Sequence, residues 1–146
     1  MTNNYWTTNF RASQEGELNW SYAITSQADT SNAEASAFGW GNRVPLYARV
    51  MPASRADNGK AWSRSFLSTG CDHVLMTSCV PSKAEEGAVL INLRETDGRD
   101  ATLTLLNADG QPLPFERVNV LDEVQGEKVT SLPLKGYENV FVRVRL

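Results

Sequence analysis

GAVLINLRETDGRDATLTLL, residues Gly87–Leu106, is the stretch whose reading decides the fold class. Val89, Ile91 and Leu93 alternate with Asn92 and Arg94; beyond Asp97-Gly98, Leu103 and Leu105 alternate with Thr102 and Thr104. Alternation of period two puts one apolar row of each strand on a buried face. A dipeptide that tolerates positive φ between two such rows predicts a β-hairpin. A hairpin with one apolar face needs a second layer to cover it, and the remainder of the chain is rich in further strand signals.

Toward the C-terminus, Asn107 to Pro114 contains Asp109-Gly110 and two prolines and must turn. Glu116 to Leu121 and Lys128 to Leu134 read as a pair joined across Gln125-Gly126. The clearest strand of all has Val140, Val142, Val144 and Leu146 on one side and Arg143 and Arg145 on the other. Toward the N-terminus, short extended runs fall at Ser63 to Ser68 and His73 to Val80, with Gly70 between them and Pro81 closing the second. Val44 to Val50 alternates too, with Pro45 marking a strand start or an edge. From Asp29 to Asn42 the period changes. Ser31 followed by Glu34 fits a capping box, alanines favour helix, and Gly39 with Gly41 predicts its end after three turns, where Phe38 and Trp40 anchor it to the sheet. Glu17 to Thr25 reads as a strand with Leu18, Trp20, Tyr22 and Ile24 on one face. Eight or nine strands with one short helix make an all-β, antiparallel β-sandwich, a single domain over residues 1–146.

Composition narrows the function classes. The formal charge is -3, from 14 Lys plus Arg against 17 Asp plus Glu, without a block of like charge, which argues against a nucleic-acid partner. No apolar run approaches the roughly 20 residues of a membrane-spanning helix, and MTNNYWTTNF lacks the basic start and apolar middle of a secretory signal; a soluble chain is expected. Cys71 and Cys79 are the whole thiol inventory and His73 the sole histidine. A strand from Val74 to Val80 would hold the thiols roughly 20 Å apart, beyond disulfide reach. Two Cys and one His fall short of a four-ligand structural zinc site, so no metal or cofactor is expected in this chain.

Catalytic patterns are sparse. Glu85-Glu86, Asp97 with Asp100, and Asp122-Glu123 lie in turns where water holds carboxylates near their ordinary pKa. The chain contains no Gly-x-Ser-x-Gly, no phosphate loop and no His-x-x-x-His. The loop NNYWTTNF is the candidate binding stretch, because an aromatic ring stacks on a pyranose while amides hydrogen-bond its hydroxyls. Asn4, Tyr5, Trp6 and Asn9 are its candidate residues, with Trp62 a further platform; the plainer reading is a loop whose Trp plugs the core.

The order WSYAITS, AFGWGNRVPL, SFLS, GAVLINLRETDGRDATLTL, FERVNVLDE and LKGYENVFVRVRL resembles the C-terminal β-domain of glycoside hydrolase family 38 α-mannosidases, over nearly the whole chain. The segment with Glu95, Gly98 and Arg99, and the one from Val118 to Glu123, are similar to segments that recur in that family. Val80-Pro81 and Asn92 stand where the family often has Lys-Pro and Arg. The resemblance implies an accessory domain, inactive alone, whose partner is the catalytic domain of the same polypeptide. It places the zinc, its Asp and His ligands and the aspartate nucleophile in that domain. It also implies that mannose-containing glycans are the substrates of the whole enzyme, and that Asn4, Tyr5, Trp6 and Asn9 face the sugar site or the catalytic domain. A self-sufficient carbohydrate-binding module is the alternative, and a plain interaction sandwich a third reading.

Overall fold

A computed structural model describes residues 16–28, 30–44, 46–49 and 63–146. Its centre is the strand nearest the C-terminus. The strand β10 (Asn139–Arg145) runs antiparallel between β3 (Ala88–Glu95) and β7 (Phe115–Val118), and the sheet is completed by β2 (Val74–Pro81) outside β3 and β8 (Val124–Val129) outside β7. Val140, Val142 and Val144 are buried on one face, as their alternation demands, while Leu146 lies beyond the strand and is exposed.

The second layer consists of two small antiparallel sheets. One orders β1 (Leu67–Thr69), β5 (Leu105–Asn107) and β6 (Pro112–Leu113); the other pairs β4 (Ala101–Leu103) with β9 (Leu132–Leu134). Leu103, Leu105 and Leu134 from this layer meet Ile91, Leu93, Phe115 and the β10 valines in one cluster. Ten strands in antiparallel sheets and one helix, among the described residues, make the all-β sandwich that the patterning predicts.

The pairing, however, differs from the expected hairpin. β3 does not return onto β4 across Asp97-Gly98; it pairs with β2 and β10, and β4 pairs with β9. Both apolar rows are buried, but they face each other across the core instead of lying side by side. The cause is the corner at Glu95, which carries the chain from one layer to the other. Gly98 has φ +76, the left-handed conformation its residue type predicts.

Three other expectations are corrected. Residues 16–28 form no strand: Trp20 is 56% exposed and Ile24 92% exposed, since the alternation finds neither ladder nor cover among the described residues. Val44 and residues 46–49 likewise form no strand. Gln125-Gly126 lies inside β8, and the reversal falls earlier, where the Asn119 Oδ1 accepts from the N–H groups of Leu121 (2.9 Å) and Glu123 (3.0 Å).

The helix α1 (Asn32–Arg43) starts where the capping box places it, with Ser31 Oγ accepting from the Glu34 N–H at 3.3 Å. It continues through both glycines and closes with the Val44 N–H on the Trp40 carbonyl at 3.0 Å. It buries no residue fully and rests near β2 on the sheet's outer face.

Candidate functional site

The inward row of β3 runs Ile91, Leu93, Glu95, so strand geometry carries a carboxylate into the interior, and Glu95 is fully buried. Its Oε1 accepts from the Asp97 N–H (2.7 Å); its Oε2 accepts from Gly98 (2.8 Å) and from Tyr137 (2.7 Å). Burial alone would push the Glu95 pKa up, but these charge-directed N–H groups outweigh it and hold the carboxyl below its ordinary value.

This corner fixes an aromatic residue in an uncommon conformation. Tyr137 has φ +62, and the Glu95 carboxylate retains it there. The Tyr137 ring crosses Gly98 so closely that a Cβ at position 98 would lie 2.8 Å from it, and one on Gly136 would lie 2.5 Å from the Gly98 backbone. The phenol then reaches out to α1, where Asn32 Nδ2 donates to its oxygen at 3.0 Å. A buried carboxylate thus orients the side chain that tethers the helix.

Between α1 and the outer face of β2 and β3 lies a groove of about 600 Å³. Trp40 and Arg43 form the helix side; Leu75, Thr77, Arg94 and Tyr137 form the sheet side. The Arg43 guanidinium stands over the Trp40 ring at 5.7 Å. Thr77 Oγ1 is hydrogen-bonded to Asn92 Oδ1 at 2.5 Å and the Asn32 amide to the Tyr137 phenol, while the Arg43 and Arg94 guanidinium groups, the Trp40 indole and the Ser36 hydroxyl also line the groove as donors. Among the described residues, no carboxylate lines it. Two aromatic rings with polar donors can take a polyol by stacking and hydrogen bonding; the paired carboxylates of a glycosidase are not part of this lining.

A second buried charge cluster is structural. Arg143, on the outer face of β10, bonds Glu116 Oε2 (2.7 Å) and Asp122 Oδ1 (3.3 Å) and has its Nε 3.4 Å from Glu85. Asp122 in turn accepts from Ser82 Oγ (2.5 Å) and the N–H groups of Lys83 and Ala84 (both 3.0 Å). Burial raises the Asp122 pKa, and the Ser82 and backbone bonds with Arg143 more than reverse it, so the net shift is downward. The Glu116 bond raises that of Arg143.

The sequence candidates Asn4, Tyr5, Trp6, Asn9 and Trp62 lie outside the described residues. Trp40, expected as an anchor, is half-buried and lines the groove between α1 and the sheet, and Phe38 is half-buried as well. Tyr137 and Arg94 were not legible as site residues. Glu95 was, in principle: the same alternation that buries Leu93 puts it on the inner row.

Fold and groove define an all-β sandwich with an aromatic, carboxylate-free cleft under a single helix, among the described residues. No family model, no curated protein and no solved structure matches the chain. Among the described residues no helix is long and apolar enough to cross a membrane.

Proposed function

We propose that this chain is an accessory β-sandwich domain of a family 38 α-mannosidase, catalytically silent by itself and packed against a zinc-dependent catalytic domain of the same polypeptide. The observation that carries the reading is the Glu95 corner. The resemblance rests in part on a strand, a Glu, a polar turn and Gly-Arg in fixed order, and each of those residue types has a physical role here. Glu95 collects three N–H groups, Gly98 admits the Tyr137 ring, and Arg99 pairs with Asp97 at 2.6 Å. An order demanded by the architecture is one that an architecture would preserve. The uncovered apolar residues Trp20, Tyr22, Ile24, Leu46 and Tyr47 suit a surface that another domain covers.

The test is enzymatic and genetic. The purified chain is expected to release no product from an aryl α-mannoside above a mock-purified control, and the reading frame upstream of Met1 is expected to encode Asp and His at zinc-ligand spacing. Turnover by the chain alone overturns the proposal. So does an upstream frame that lacks such residues.

A second reading, a carbohydrate-binding module, is favoured by the Trp40–Tyr137 groove. Titration with mannobiose is expected under this reading to shift the Trp40 indole resonance and to spare Trp20, and a spectrum unmoved at millimolar sugar removes it. The Asn4, Tyr5, Trp6 and Asn9 loop is tested in the same spectra.

A further inference from the structure

Cys71, Asp72 and His73 occupy the turn between β1 and β2, and their side chains converge instead of fanning out. The sulfur, one carboxylate oxygen and the imidazole nitrogens all lie within 4.8 Å of one another. His73 Nδ1 is 3.0 Å from Asp72 Oδ1, and Cys71 Sγ is 3.2 Å from both ring nitrogens. An equal reach to both nitrogens puts the sulfur against the ring and not on a directed lone pair. The His73–Asp72 hydrogen bond holds two of the three donors together, and the sulfur stands against the imidazole beside them.

The turn is held from outside. Thr69 Oγ1 donates to the Cys71 carbonyl (2.9 Å), the Thr96 N–H (2.9 Å) and hydroxyl (3.0 Å) both donate to the His73 carbonyl, and Gly70 donates to the Thr104 carbonyl (2.7 Å). Cys71 packs against the core, the His73 side chain is mostly covered, and Asp72 is exposed. Backbone anchoring of this kind presets the directions of three donors of different hardness.

We propose that Cys71, Asp72 and His73 bind a divalent transition metal of borderline softness, with zinc the reference ion. A thiolate, an imidazole and a carboxylate are the donor types such an ion takes. With metal–sulfur near 2.3 Å and metal–nitrogen or oxygen near 2.0–2.2 Å, tetrahedral donors stand roughly 3.3–3.6 Å apart. The sulfur–nitrogen and nitrogen–oxygen separations here are a few tenths of an ångström closer, the sulfur and carboxylate lie within 4.8 Å, and the broad imidazole torsion lets a ring nitrogen turn toward a shared centre. A cleft of about 230 Å³ bounded by Asp72, His73 and the first turns of α1 adjoins two of the donors and has room for a water as fourth ligand. Glu34 lines that cleft, and the one cation among its described lining residues, Arg99, is already paired with Asp97. This site is independent of the zinc ascribed above to a catalytic domain.

The test is a titration of the reduced 146-residue chain with Co²⁺, followed by its thiolate-to-cobalt charge-transfer absorption in the near ultraviolet. A band saturating at one equivalent and displaced by Zn²⁺ is expected. Cys71→Ser should abolish it, and Asp72→Asn and His73→Gln should weaken binding by about tenfold or more. Cys79→Ser, which removes the other free thiol, should leave it unchanged. Far-ultraviolet circular dichroism checks that each variant is folded, and the exposed Asp72 is the substitution least able to disturb the fold. No saturable band, a band surviving Cys71→Ser, or one lost only with Cys79→Ser overturns the proposal.

Discussion

Glu95 is the residue on which corner, tyrosine and helix all depend. Glu95→Ala leaves three part-buried N–H groups without their buried acceptor and should cost about 2 kcal/mol by urea denaturation, whereas Glu86→Ala should stay within about 0.5 kcal/mol. Its pH signature follows from the direction of its pKa. A carboxyl whose folded value is depressed contributes stability that is complete above its unfolded value, 4.5, and that drains away as pH falls through the lower folded value. Urea midpoints should therefore decline from about pH 4.5 downward, and Glu95→Gln, starting less stable, should show a shallower decline. Equal slopes for the two proteins would reject this account. Gly98→Ala meets both a positive φ and the Tyr137 ring 2.8 Å away, and should cost about 1–3 kcal/mol. Combining it with Tyr137→Gly, which removes the obstructing ring, should cost less than the sum of the two. At this scale the sequence was legible where residue type dictates conformation, as at Gly98. It was not where chemistry depends on who faces whom: a count of Cys and His could not bring the Asp72 carboxylate in beside Cys71 and His73.

Among the elements, β10 carries the sandwich and α1 does not. Val142 is fully buried between β3 and β7, so Val142→Ala should cost about 2–3 kcal/mol, and truncation before Asn139 should leave no cooperative unfolding transition. Ser31→Ala removes a cap worth about 1 kcal/mol to the helix. Because α1 buries no residue fully, the urea midpoint should not move while amide exchange in residues 34–43 accelerates; a midpoint that fell in step with exchange would tie α1 into the core. Strand positions were largely readable, because period two reports which residues are buried. Partners were not, since Leu93 and Leu103 alternate identically whether they lie side by side in one sheet or face each other across two. Gln125-Gly126 misled for a related reason: a turn-forming dipeptide permits a reversal, but the Asn119 amide, by collecting two backbone N–H groups, placed the reversal earlier in the chain.

For the molecule as a whole, the two layers close over one core and leave the apolar residues before and after α1 uncovered. Ile24→Ser and Leu46→Ser, which would be severe in a core, should change the stability of this chain by no more than about 0.5 kcal/mol and should reduce its binding of a hydrophobic dye. A loss of several kcal/mol from either would mean that these side chains are already covered. The strand reading of residues 17–25 failed on this global ground: alternation declares that a face wants cover, and whether cover exists is a property of everything else in the fold. The sheet order has a consequence for synthesis. The middle strand is made after both of its neighbours, and β10 begins 44 residues after β3 ends, about 2 to 9 s of translation. Through that interval β3 waits with an open edge, joined by β7 only for the last 21 residues, which makes this window, rather than any property of the finished sandwich, the time when a chaperone has most to do.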